Sequence, residues 1–205
     1  SALRAAMDKY APIDMMLDTS AGYEIPVMRL AQEFPNVQFV QVYDFVMKDP
    51  TDRPNLHSIW ATLYEARYLA GVVAGGVLPK DETEICYIRA WDNAEVTRCV
   101  CQCSPLIPAP HWRVTSHSFL VGSGMNAFLL GARVMRPDVT VRSITIDSWG
   151  DEFLEYQAAQ HFYNTGCKLL AHHSNTAVPL QLFGEHGLLA VGSNSDTRVF
   201  LGEYV

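Results

Sequence analysis

The strongest constraint on this chain is its rhythm. Strand-like and helix-like apolar patterns take turns, one pair about every 20–25 residues. Met15 to Ser20 is a short apolar run ending in small polar residues. Ile25 to Phe34 places Val27, Leu30, Ala31 and Phe34 on one helical face, and Pro35-Asn36 stops it. Val37 to Phe45 alternates with period two and is rich in β-branched and aromatic residues, which predicts a strand. Lys48 to Asn55 reads as a loop. Leu63 to Gly76 reads as a helix with Leu63, Ala66, Ala70 and Val73 on one side. The pattern continues with a strand at Glu84 to Ala90, a helix at Met125 to Met135 and a strand at Val139 to Trp149. A helix follows at Glu152 to Tyr163, closed by the C-cap signal Asn164-Thr165-Gly166. Lys168 to Ser174 is a strand, Ala177 to Glu185 a helix, and Gly187 to Gly192 leads into a last strand.

Such alternation is the mark of βα units around a parallel sheet, whose faces must both be covered. The fold class is therefore α/β. Ligands of such sheets sit beyond the carboxyl ends of the strands. Those segments are Thr19 to Tyr23, Tyr43-Asp44, Ala90 to Asn93, Asp147 to Asp151, His173 to Thr176 and Ser193 to Asp196. Each mixes small polar groups with an aromatic residue or a carboxylate, as a polar small ligand with a flat ring requires.

Charge and length narrow the function. Fifteen basic against twenty-two acidic residues give a net charge of −7, which repels phosphate backbones and argues against nucleic acid as a partner. No apolar run reaches the ~20 residues a membrane helix needs. The nearest, Tyr68 to Leu78, is shorter and contains three glycines. No basic-then-apolar leader is visible, although the chain opens on Ser1 and a leader removed earlier would leave no trace. The catalytic patterns Gly-x-Ser-x-Gly, the Walker loop and His-Glu-x-x-His are all absent. No cofactor is expected.

The five cysteines are Cys86, Cys99, Cys101, Cys103 and Cys167. An odd and clustered set does not read as a disulfide framework. Cys-x-Cys-x-Cys lacks the distant pair of a zinc site, although His111 and His117 lie near it. His172 and His173 adjoin on a strand, so they point to opposite faces and do not easily share an ion, and they read as core or strand-end histidines. Cys167 begins a buried-looking strand, which disfavours a nucleophile there. Arg67 and Glu65 read as structural, the arginine paired near a junction between lobes.

Five segments, in order, carry a resemblance: EFPNVQFVQVYDF, LYEARYLAGVVAG, NAFLLGARVMRPDVTV, DSWGDEFLEYQAAQHFYNTGCKLLAHHSNTAVPLQ and LLAVGSNSD. Together they resemble the basic membrane lipoprotein family, the solute-binding proteins of nucleoside transporters. The resemblance implies a type I periplasmic-binding fold of two doubly wound lobes. Residues 1–90 would form part of the first lobe and 91–205 the second. It also implies a non-enzymatic protein that captures a nucleoside, a purine nucleoside above all, by hinge closure. The ligand would pass to a membrane permease, and the location would be extracytoplasmic, at a membrane. Two rival classes remain: a small-molecule-sensing regulatory module of the same fold, and a small hydrolase on a flavodoxin-like sheet.

The resemblance has three departures. The family begins with a strand and helix that supply part of the ligand site, and this chain reads as starting after them, inside the helix Leu3 to Tyr10. The family also continues beyond the last matched strand. Weak binding and poor folding are expected on that account. Finally, Cys99 to Ser123 interrupts the family pattern, and joining Arg98 to Gly124 restores it. That segment holds three of the five cysteines, three prolines, two histidines and no acidic residue. It reads as a retained intron or a lineage-specific surface loop, with a metal-binding loop as the rival.

The resemblance also assigns candidate ligand residues. Trp149 would stack on a flat base, against the alternative of packing at a strand end. Asp196 and Asn194 would accept hydrogen bonds from ribose hydroxyls, against a turn or N-cap role. Asn175 stands where the family has Asp, and an N-cap role fits it too. Tyr23 and Ser20, beside Gly22, would approach the ligand from the first visible strand. Trp91 follows the strand that ends at Ala90, near the hinge.

Overall fold

Strand and helix alternate as the rhythm requires. The computed structural model describes residues 2–19, 23–42, 53–59, 63–91, 124–193, 195–197 and 201. Cys99 to Ser123, the strand end at Tyr43 to Phe45, Ser20 and Asn194 lie outside them. The chain divides into two compact units, Ser1–Thr62 and Leu63–Val205. Residues 63–90, assigned above to the first lobe, group here with the second unit.

In the first unit, α1 (Ala2–Tyr10), β1 (Met15–Asp18), α2 (Glu24–Glu33), β2 (Gln38–Gln41) and β3 (Leu56–Ser58) follow in order. The sheet is parallel, in the order β1-β2-β3. Met7, Val27, Leu30, Ala31, Val37, Phe39 and Leu56 form its core. Pro26 sits in the first turn of α2, where no intrahelical N–H bond is lost. The helix ends before Pro35, as expected. Asn55 is buried, and its amide nitrogen lies 3.0 Å from the carbonyls of Ala31 and Phe34 and 2.8 Å from that of Val37. One side chain thus satisfies the end of α2 and the entry to β2. The three-residue β3 was missed by sequence, which stopped at a loop to Asn55.

The second unit contains α3 (Leu63–Val77), β4 (Glu84–Arg89), α4 (Gly124–Met135), β5 (Thr140–Thr145), α5 (Glu152–Asn164), β6 (Leu169–His173), α6 (Val178–Glu185) and β7 (Leu189–Val191). Its sheet is parallel, in the order β5-β4-β6-β7. Alternate residues of β4 face different cores. Ile85 and Tyr87 pack with Ala74, Leu78, Phe128 and Ala132 from α3 and α4. Cys86 and Ile88 pack with Ala158, Ala159, Phe162, Leu182 and Phe183 from α5 and α6. The chain leaves β4 toward β5 on one side and later returns to β6 on the other. That reversal is a topological switch, the place where loops above a doubly wound sheet part and leave a crevice.

Small residues set the spacing of α3 and α4. A Cβ on Gly71 would lie 1.9 Å from the Phe128 carbonyl oxygen, and one on Gly131 would lie 2.0 Å from that of Tyr68. The buried stripe of α3 is therefore Arg67, Gly71, Ala74 and Gly75. This corrects the expected apolar side. Leu63, Ala66 and Val73 are exposed and Ala70 only half-buried, because the crossing is too close for larger side chains. Asp151 caps α5, its Oδ1 accepting from the N–H groups of Phe153 at 3.0 Å and Leu154 at 3.1 Å. Gly166, with φ +87°, ends the same helix where the C-cap signal placed it.

Cys86 and Cys167 form a disulfide, with Cα atoms 6.4 Å apart. Spacing alone does not single out this pair among the five cysteines. The bridge joins β4 to the start of β6 across 81 residues of sequence.

Three outcomes follow for stability. Gly71→Ala should cost about 2–3 kcal/mol in urea unfolding, because backbone must move. Gly76→Ala, whose added Cβ meets only Met135 Cε at 3.8 Å, should be neutral or gain up to about 1 kcal/mol. Loss of the bridge in a Cys86→Ser, Cys167→Ser variant should remove about 4 kcal/mol by loop entropy, read as a lowered Tm that reductant does not lower further.

Candidate functional site at the carboxyl edge of the second sheet

Strands β5, β4 and β6 end level, at the paired residues Thr145, Arg89 and His173, and the residues just beyond them stay hydrogen-bonded. Ile146 N–H donates to Arg89 O at 3.0 Å, Ala90 N–H to His173 O at 3.2 Å, and Ser148 N–H to Ala90 O at 3.0 Å. Asn175 N–H donates to Trp149 O at 2.7 Å. The three loops after β5, β4 and β6 are thereby tied together at the switch. The expected strand Val139 to Trp149 ends early, at Thr145. Asp147 turns into the left-handed region, φ +52°, and carries Ser148 and Trp149 over the edge.

Trp149 is half-buried and meets the His173 ring edge-to-face, with centroids 5.8 Å apart. Both the packing role and an open ring surface are compatible with half-burial. Asn175 is exposed and does not cap α6. The N-cap position is Ala177, which makes no side-chain cap bond, and just before it Thr176 Oγ1 accepts from Val178 N–H at 3.3 Å. Asn175 thus keeps its side chain for other use. Trp91, next to Ala90, is 40% exposed, and Asp196 is exposed on the segment after β7.

Beneath these residues lies a buried polar layer that sequence reading largely missed. Arg67 Nη2 donates to Ser193 Oγ at 2.5 Å and Nη1 approaches His172 O at 3.5 Å, so the buried guanidinium of α3 braces the ends of β6 and β7. Its structural reading agrees with this contact. His172 Nδ1 pairs with Ser174 Oγ at 3.0 Å. Thr176 Oγ1 donates to Glu155 Oε2 at 2.7 Å. Burial lowers both imidazoles to about 3, with the Arg67 cation adding to the effect, so both are neutral near neutrality. Burial raises the Glu155 carboxyl, opposed by hydrogen bonds from Thr176 and Ser174. The histidines are buried as core or strand-end residues, as expected, whereas the burial of Ser174 and Glu155 and the bonds between α5 and the β6–α6 loop leave no mark in the local sequence.

Tyr23 belongs to the first unit. It is 45% exposed and stands at the N-terminus of α2 without a side-chain cap bond. The same sheet ends in Asp18 and Gln41, adjacent in register and both buried. The amide of Gln41 has no hydrogen-bond partner among the described residues.

The histidines make stability pH-dependent. Unfolded imidazoles protonate below 6.5, while the folded ones resist until about 3, so the unfolded state binds more protons in that window. The Tm should fall as pH drops below 6.5, and His172→Gln should flatten that slope in a melting series.

A family model, ABC transporter substrate-binding protein PnrA-like, matches residues 9–203. A purine-binding protein of Brucella abortus is 28% identical over 186 residues, covering 91% of this chain and 44% of that protein. A protein of Haloferax volcanii named as an ABC transporter glucose-binding protein is 24% identical over 191 residues, covering 93% and 41%. The chain thus spans less than half the length of these relatives. Among solved structures, an ABC transporter solute-binding protein of Conexibacter woesei aligns with TM-score 0.56 at 18% identity, over 93% of this chain and 54% of that one. A transcriptional activator of the comK gene from Bacillus halodurans aligns with TM-score 0.64 at 15% identity, over 100% and 59%. These two share the fold. A match running from residue 9 to residue 203, on a doubly wound parallel framework, makes this chain a member of the PnrA-like family of ABC transporter substrate-binding proteins.

Proposed function

We propose that the chain belongs to a protein that captures a purine nucleoside without chemistry and hands it to a membrane permease on the extracytoplasmic side. The observation that carries this reading is Trp149. It is a half-buried aromatic at the switch point, tied to the exposed Asn175 by a 2.7 Å backbone bond. An aromatic platform beside an amide suits a flat base with donors and acceptors on its rim. Asp196 would accept from the ribose hydroxyls, with Trp91, Tyr23, Ser20 and Asn194 as further candidate contacts. Similarity to a purine-binding relative supports the base. A disulfide in the second core fits an oxidising compartment.

A second reading has its own support. A glucose-binding name attaches to another relative, and an aromatic face with a carboxylate and an amide also suits a hexose. Calorimetric titration with guanosine, adenosine, inosine and glucose separates the two. Saturable heat with a nucleoside, unchanged ligand afterwards, and a five- to hundredfold loss in Trp149→Ala are expected, since base stacking is worth about 1–3 kcal/mol. Heat with glucose alone overturns the nucleoside, and release of free base overturns the binding-only reading.

A further inference from the structure

We infer that Glu155 is a positioning residue of the ligand site, acting through the Thr176 hydroxyl to fix the loop that carries Asn175. The inference rests on the site reading above. Glu155 is a carboxylate with no exposed surface, in the first turn of α5. Burying such a group is costly, and an apolar side chain would fill the space at less expense. What the carboxylate adds is directional. It accepts from Thr176 Oγ1 at 2.7 Å, across 21 residues of sequence.

The bond constrains more than one torsion. With its proton directed at Glu155, the Thr176 oxygen presents lone pairs, one of which accepts from Val178 N–H at 3.3 Å. The same hydroxyl therefore starts α6 and anchors the β6–α6 loop to α5. Ser174, on the other side of Asn175, bonds to His172 Nδ1 at 3.0 Å. Asn175 is thus held at both flanks, while its own N–H reaches Trp149 O. Helix α5 begins directly after the Trp149 loop, with Asp151 as its cap. Glu155 therefore links the two loops that present Trp149 and Asn175, without standing among the exposed residues itself.

The test is exchange of the Asn175 amide, read in the whole chain by NMR, together with guanosine affinity and Tm. Thr176→Val removes the hydroxyl and keeps the shape. It should speed exchange at Asn175 about tenfold and weaken guanosine about tenfold, with little change in Tm. Glu155→Ala should match it, and the double variant should be no worse than either single one. Glu155→Gln keeps an acceptor and should restore most of the protection. Unchanged exchange in Thr176→Val, or additive losses in the double variant, would overturn the inference. If Glu155→Ala does not fold, Thr176→Val and Glu155→Gln decide it. Absence of guanosine heat in the unaltered chain would sink the nucleoside reading alone, since the exchange measurement needs no ligand.

Discussion

The second unit depends on a contact that admits no side chain. At Gly71 and Gly131 the backbone of one helix touches the backbone of the other, and a Cβ at either place would fall within about 2 Å of a carbonyl oxygen. Because α3 and α4 approach so closely, they cover one face of the sheet as a single slab over Ile85, Tyr87, Leu169 and Ala171. That slab delivers Arg67 beneath the ends of β6 and β7, where its guanidinium meets Ser193. The order of strands then does the rest. With β4 central and its sequence neighbours arriving on opposite sides, the switch point at the carboxyl edge is a consequence of connectivity.

Two kinds of order coexist at that edge. The exposed Asn175 and Asp196 and the half-buried Trp149 are the groups proposed to meet a ligand. Buried groups, His172, His173, Ser174 and Glu155, instead hold the backbone. The neutral imidazoles illustrate the division: burial denies them charge, so they serve as shape and as hydrogen-bonding partners. Trp149 stands between the layers, half-buried, with one contact to His173 below.

Much of the framework was legible in the sequence because local patterns decide it. The strand at Glu84 and the Asn164-Thr165-Gly166 stop both appear where expected, since a short apolar run and a left-handed glycine need no distant partner. Features that depend on distant partners were not legible. The buried side of α3 was misread because hydrophobicity says nothing of how near another helix comes; Val73 is apolar and 64% exposed. The Cys86–Cys167 bridge escaped because spacing alone cannot bring β4 beside β6. Asn175 reads as a helix cap, yet the hydroxyl that meets the first N–H of α6 belongs to Thr176, held by Glu155 from another helix. The short β3 had too few residues to show a period at all.

Connectivity also sets the order in which the molecule can become itself. The central strand β4 leaves the ribosome before either of its neighbours in the sheet, and of the helices that cover its two faces only α3 precedes it. Until β6 and Thr176 have been synthesised, the Trp149 loop has neither its backbone tie to Asn175 nor the anchor on α5. Recognition therefore arises late in the life of the nascent chain, after most of the hydrophobic surface that surrounds it has already had to find cover.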